Sequence, residues 1–514
     1  MTTALSVSES AARSSFIGAM RKVLSLPVAI AGLLVTLGML TVRSRFDDPD
    51  MWWHLKTGQW IWNTGSIPTT DIFSYTTNHH AWVPHEWLSQ VLIYFAYRFG
   101  GYSGLMLWLC FFTAAILIAG YALCCLYSGN AKVSFVGAMT IWFFATAGLA
   151  IRPQMIGYLL LIVELLLIQL GRSHSPRWFF GLPPLFAVWV NCHGSFFLGF
   201  LLVCIVLACS FFDFRKGLLM SDGWPTYTRK MLMIALFFSA VALFLNPVGV
   251  RQVLYPLNTM FHQSIQLSSV QEWMPLTMNS GRGLGFLVLL GCVFFIVLVQ
   301  RSELSLNELG MLAVGAWLAI GHRRLLFVFG ILAAPVLSRL LAPLWDRYDA
   351  DHDHPVPNAI LIAASLLILA LGFPKPQNLA SQVEAGSPVK AVDFIERQHL
   401  SGPMMNDYVY GGYLIWTASD HPVFVDGRGD VFEWSGVLAE FGRWATLQEN
   451  PNILLDKYGV RFCVLARTSP MTQVLLLLPN WKSVYSDNMS VILVRTSDGN
   501  FSPDRRASLS ETNR

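Results

Sequence analysis

Charge is what this sequence has least of. Only 13% of its 514 residues are Asp, Glu, Lys or Arg, against roughly 25% in an average soluble chain. That scarcity excludes an ordinary soluble globular protein. The formal net charge of +4 is small and dispersed, which argues against a nucleic-acid partner, because phosphate binding needs a concentrated basic face. Cysteine is sparse where a disulfide would matter. Seven of the eight cysteines lie in or beside apolar stretches, among them Cys110, Cys124, Cys204 and Cys292, and only Cys463 falls near the C-terminus. No disulfide is expected within that region. Internal repeats and low-complexity segments are also missing.

What remains is apolar. Hydrophobic residues make up 54% of the chain, and the mean hydropathy is +0.50. The first run, Leu24–Val42, follows Arg13, Arg21 and Lys22. It is too long for a signal-peptide core and has no small-residue cleavage site, so it reads as an uncleaved first span. Further runs follow at Leu105–Tyr127, Val133–Ala150, Met155–Leu170, Trp178–Val190, Phe196–Phe212 and Met231–Leu245. Leu284–Val299, Leu306–Ile320, Leu325–Leu341 and Asn358–Phe373 complete a set of about eleven spans by the bilayer-length criterion.

The expected fold class is therefore an α-helical polytopic membrane protein with a C-terminal α/β soluble domain. The expected division is a transmembrane domain 1–373 including an outer loop 43–103, a linker 374–388, an α/β domain 389–498 and a disordered tail 499–514. In the α/β region Val423–Val425, Arg461–Leu465 and Val491–Val494 read as strands, and Val437–Leu447 and Met471–Leu478 as helices. The stretch from Asp426 to Asp430 reads as a polar turn.

An odd span count with a cytoplasmic N-terminus sends the C-terminal domain outside. Arg172/Arg177, Arg215/Lys216/Arg229/Lys230 and Arg339/Arg347 then lie on the cytoplasmic side, as the positive-inside rule asks. Arg43, Arg45, Arg152, Arg323 and Arg324 do not. Polar residues beside hydrocarbon are costly and carry a functional hypothesis by default. Five such clusters face outward at span ends: Asp47 to His54, His85-Glu86-Trp87, Arg152-Pro153-Gln154, Asn191-Cys192-His193 and His322-Arg323-Arg324.

If a helix opens in the first cluster, Asp47, Asp50 and His54 share one face. The plain alternative is a set of acids that cap a helix beside tryptophans anchored at the interface. Arg152 offers the fork of donors that binds phosphate, or it is a snorkelling arginine at a span end. Arg323 and Arg324 offer a second anion contact. Asn191 and His193 read equally as a satisfied polar pair. His54, His79, His80, His85 and the aspartates supply donors for a divalent metal such as Mg or Mn, yet no i, i+4 histidine pair or HExxH motif is present. The metal question stays open at this point.

The run Asp48-Pro49-Asp50-Met51-Trp52-Trp53-His54-Leu55, with Gly58, Asp71, Phe73-Ser74-Tyr75 and His85-Glu86-Trp87-Leu88-Ser89, resembles a bacterial, uncharacterised group within the GT-C superfamily of integral membrane glycosyltransferases. Near the C-terminus Asn406-Asp407-Tyr408, Gly411-Gly412-Tyr413 and Val425-Asp426-Gly427-Arg428 fit the same group. The resemblance implies transfer of a sugar from a polyprenyl-phosphate donor to a glycan, lipid or protein acceptor on the outer face of the inner (plasma) membrane. On that mapping Asp50 or Asp48 is the general base, and His54, His85 and Glu86 orient base or acceptor. Arg152 and one of Arg323 and Arg324 receive the phosphate, while Gln154, Asn191 and His193 meet hydroxyls.

Two departures stand out. The paired Asp-Glu of some superfamily members is absent from the first loop, and so is the WWDYG-type motif of oligosaccharyltransferases. The second makes protein N-glycosylation a poor expectation. A transporter or flippase of lipid-linked sugars also needs polar residues along a cleft, but it usually carries them at mid-span with repeat symmetry; Glu164 is the one clear acid inside a span here. A non-enzymatic membrane scaffold is the third reading.

Overall fold

The computed structural model describes residues 20–77, 79–269 and 272–496. The cation at Arg13 and the tail 499–514 lie outside these residues. Every one of the eleven apolar runs falls on a helix. Among the described residues six helices are long and apolar enough to cross a membrane: Met20–Val42, Trp87–Ser128, Gln154–Ser173, Gly281–Gln300, Arg323–Leu344 and Pro355–Gly372. Three shorter apolar helices, Ala131–Ala145, Phe196–Cys209 and Leu306–Gly321, join them. The protein is a helical polytopic membrane protein with an α/β region at its C-terminal end.

Contacts divide the chain into two compact units. Of the described residues, one comprises those in 20–45, 103–256 and 269–375, and the other those in 46–102, 257–268 and 376–496. The segment 46–102 thus groups with the C-terminal residues, not with the spans.

In the first unit Ala131–Ala145 and Leu306–Gly321 both pack on Leu326–Leu341, and Pro355–Gly372 packs on Leu26–Val42. Leu306–Gly321 and Leu326–Leu341 form a hairpin whose two ends differ in chemistry. At one end Ser305 and Glu308 make a capping box, and Glu308 also binds the Arg339 guanidinium. At the other lie His322, Arg323 and Arg324. With sixteen residues in Leu326–Leu341 at ~1.5 Å rise each, the two ends are about 24 Å apart.

The second unit holds a four-stranded sheet in the order Met404–Asn406, Phe462–Ala466, Ser490–Arg495, Trp481–Ser486. The first pair is parallel and the others antiparallel. Helices Val437–Ala445 and Pro470–Leu477 stand where periodicity places them. Phe432, Trp444, Leu455 and Leu475 are buried in its core; full burial of an aliphatic or Phe side chain stabilises by roughly 1.5–3 kcal/mol.

Two expectations need correction. Val423–Val425 is not a ladder strand: Val423 makes an isolated bridge to Ser74. The neighbouring backbone groups are taken by the Asn406 side chain, which accepts from Phe424 N at 2.7 Å and donates to Val425 O at 2.7 Å. The segment 374–388 is not an open linker either. Pro376–Gly386 is a helix whose Leu379 and Val383 are buried, a spacing of four that puts both on one face.

Candidate functional site

In the second unit the acidic cluster sits at the start of the Asp50–Thr64 helix, with Pro49 as its N-cap. Proline disfavours helical backbone at the residue before it, so Asp48 and Asp47 stay outside the helix. The face shared by Asp47, Asp50 and His54 therefore does not form: Asp50 and His54 are helical, and Asp47 is exposed in the preceding loop. Asp48 Oδ1 accepts from the Asp50 amide at 2.9 Å, which ties down one of the helix's unsatisfied donors.

His54 is buried, and the start of the next helical stretch, Trp87–Ser128, which is broken at Gly101, brings the Gln90 amide to it, with the Glu86 carboxylate just ahead of that helix. His54 Nδ1 lies 3.9 Å from Glu86 Oε2 and 3.3 Å from Gln90 Nε2. His85 Nε2 approaches Glu86 Oε1 at 3.6 Å. Four of the expected site residues, Asp50, His54, His85 and Glu86, thus belong to two adjacent helix starts. Gln90 completes the group and was not singled out; a glutamine in an apolar helical run carries no pattern of its own.

The turn at Asp426 to Asp430 is more than a turn. Arg428 is buried and forks between two aspartates, with Nη2 2.6 Å and Nε 2.8 Å from Asp426 and Nη1 2.6 Å from Asp71 Oδ1. Thr77 Oγ1 donates to Asp71 Oδ2 at 2.7 Å, and Ser74 Oγ donates to the same oxygen. The guanidinium also lies 4.8 Å from the Trp82 ring and 5.0 Å from that of Phe73. Burial opposes ionisation of Asp71, but Arg428 and the hydroxyl and amide donors outweigh it and hold its carboxyl below the usual range. Two lone acids and an arginine far apart in sequence give no motif, so only the fold reveals the network.

In the first unit a second cluster gathers at one end of the helices. Pro153 is the N-cap of Gln154–Ser173, and Arg152 immediately precedes it. Arg324 Nη2 donates to Gln154 Oε1 at 2.7 Å. Arg152 Nη1 lies 3.1 Å, and Arg324 Nη1 3.5 Å, from the same Glu272 oxygen. Backbone pairing supports this: Arg324 N donates to Glu272 O at 2.8 Å and Arg323 N to Met274 O at 2.9 Å. The Arg324 guanidinium lies 5.2 Å from the Trp273 ring centre, and His322 Nδ1 lies 2.8 Å from Trp273 O. Burial opposes ionisation of Glu272, yet Arg152 and Arg324 overcome it and keep its carboxyl below the usual range. Sequence reading gave both arginines and Gln154 but not Glu272.

His193 joins the edge of this group. It packs where Gly157 of Gln154–Ser173 leaves room, one helical turn from Gln154, and its Nδ1 lies 2.8 Å from Ser195 Oγ. Asn191 instead donates to Ala187 O and Leu245 O at 2.8 and 2.9 Å, a satisfied polar group within the bundle. Among the described residues no group of three or more His, Cys, Asp or Glu comes together to hold a metal ion.

Two solved proteins share the fold. The Archaeoglobus fulgidus oligosaccharyltransferase tethered with an acceptor peptide matches with a TM-score of 0.50 and 11% identity, over 85% of this chain and 68% of its own. ArnT from Cupriavidus metallidurans bound to undecaprenyl phosphate matches with a TM-score of 0.50 and 13% identity, over 90% of this chain and 97% of its own. The likeness at this identity is one of fold. No protein-family profile matches the sequence, and no curated protein matches it.

Proposed function

We propose that this protein is a membrane glycosyltransferase that moves a hexosyl group from a polyprenyl-phosphate donor to an acceptor hydroxyl. The reaction faces the outer side of the inner membrane, with the N-terminus cytoplasmic. The observation that carries the reading is the meeting of Arg152 and Arg324 at one carboxylate, Glu272, with Gln154 accepting from Arg324 beside it. Two arginine forks held by backbone pairing and a neutral amide form a preorganised anion site, and a leaving phosphate gains charge as the glycosidic bond breaks. The shared fold supports the same class of donor, since ArnT was solved with undecaprenyl phosphate.

Arg152 and Arg324 bind the leaving phosphate, with Arg323 beside them. Gln154 and His193 meet sugar hydroxyls, while Asn191 spends its amide N–H groups on Ala187 O and Leu245 O. Asp50 is the general base that takes the acceptor proton as the hydroxyl attacks an oxocarbenium-like carbon; His54, His85 and Glu86 orient it. Asp48 is the alternative base, and its capping of the Asp50 amide suits a supporting part better. The acceptor is a glycan, lipid or protein hydroxyl.

The test is transfer of labelled hexose from a polyprenyl-phosphate hexose to acceptors in native membranes, at matched expression of wild type, Asp50→Asn, Asp48→Asn and Arg152→Ala. Loss of transfer in Asp50→Asn and Arg152→Ala supports both roles. Transfer at the wild-type rate in all variants removes the enzyme reading and favours transport of the lipid-linked sugar.

A further inference from the structure

The turn from Asp426 to Arg428 is fixed twice over. Its flanking side chains form the buried fork, and the Arg428 amide donates to Asp426 Oδ1 at 2.9 Å. Gly427 is clamped between them and faces the start of the Asp50–Thr64 helix. A Cβ placed on Gly427 would lie 1.9 Å from Asp50 Oδ1 and 3.0 Å from Trp53 Nε1. A Cβ on Gly412 would lie 2.4 Å from Pro49 O. Real Cβ atoms essentially never approach within 3.0 Å, so at 1.9 and 2.4 Å the C-terminal segment meets the acidic helix with bare backbone at two points. The Trp53 Nε1–H beside that carboxylate is buried and has no acceptor among the described residues.

We propose that Gly427 is a positioning residue: the backbone of its anchored turn sets where the Asp50 carboxylate sits. The C-terminal α/β region is then part of the support of the base and not a separate appendage. This rests on the reading of Asp50 as general base. A side chain at 427 displaces the carboxylate by about an ångström or more, and misplacement of that size costs about a hundredfold in rate.

The experiment uses the full chain in native membranes and the labelled polyprenyl-phosphate hexose as probe. Gly427→Ala is expected to lower turnover about a hundredfold while the donor KM stays within about twofold. Gly442→Ala, whose Cβ meets nothing within 4 Å, transfers like wild type. A thermal-midpoint cycle gives the second readout: Gly427→Ala lowers the midpoint in wild type and lowers it much less in Asp50→Ala, where the 1.9 Å clash is gone and only the 3.0 Å approach to Trp53 Nε1 remains.

Wild-type turnover in Gly427→Ala, or the same midpoint loss with and without the Asp50 side chain, overturns the inference. If Gly427→Ala does not accumulate, recovery of the Asp50→Ala/Gly427→Ala double variant supports the contact and its failure overturns it. Wild-type transfer in Asp50→Asn removes the base assignment itself. An inactive Asp50→Asn beside an active Gly427→Ala removes only the positioning role.

Discussion

Two arginine–carboxylate clusters, one in each unit, are built on opposite principles. Around Arg428 the charges are sealed: its side chain is 1% exposed and that of Asp71 0%. Two carboxylates surround one guanidinium, and hydroxyls and aromatic rings take up what remains. Around Arg152 and Arg324 the proportions are inverted. Two guanidinium groups share one carboxylate, and the side-chain exposures are 11% for Arg152, 23% for Arg324 and 42% for Glu272. A sealed cluster with excess acid has nothing to offer a ligand and serves to lock backbone. An open cluster with excess base attracts an anion, which is why the phosphate is assigned there.

The comparison breaks most visibly at Arg428. Arg428→Met strands two buried carboxylates, and removing one partner of a buried pair costs roughly 3–5 kcal/mol. A large fall in the thermal midpoint in detergent, or loss of accumulation, is expected. Arg152→Ala has the opposite profile. It lowers sugar transfer about a hundredfold, equivalent to about 2.7 kcal/mol of barrier, but lowers the midpoint far less than Arg428→Met, because Glu272 keeps Arg324 as its partner. Arg152→Lys does not restore the rate, because an ammonium has no fork.

Glu272→Gln sharpens the contrast with a gain. The carboxylate competes with an incoming anion for the same donors, so its removal raises affinity for inorganic pyrophosphate a few-fold, measured by calorimetric titration. The smallest effect is with pH. Asp71 and Glu272 both ionise below their usual range. A depressed folded-state pKa gives stability that is present above the unfolded value and lost as pH falls through the folded one. The thermal midpoint is therefore expected to stay flat from about pH 8 to 5 and to fall only below the ordinary carboxylate values of about 4. Arg428→Met flattens the acid limb.

How much of this could be read in advance depends on sequence distance. The apolar runs are local, and each one folds as a helix. Arg152, Gln154 and Arg324 were legible because an uncompensated charge at a span end is conspicuous by itself. Glu272 was not, since it is one acid in a loop, and its partners lie 120 residues before it and 52 after it. Asp71 and Arg428 are 357 residues apart, and nothing at either position announces the other. The helix start was misjudged for a local reason: Pro49 blocks helical backbone at Asp48 and leaves Asp47 outside.

The Arg428–Asp71 pair also sets a timetable. Its arginine is synthesised 357 residues after its aspartate, which at ~5–20 residues per second is a wait of roughly 20–70 s. The strand Ser490–Arg495, central in its sheet, comes later still. Throughout that interval the segment carrying Asp50 and Asp71 is in place without its arginine, so the nascent chain is vulnerable to quality-control proteases until that strand arrives.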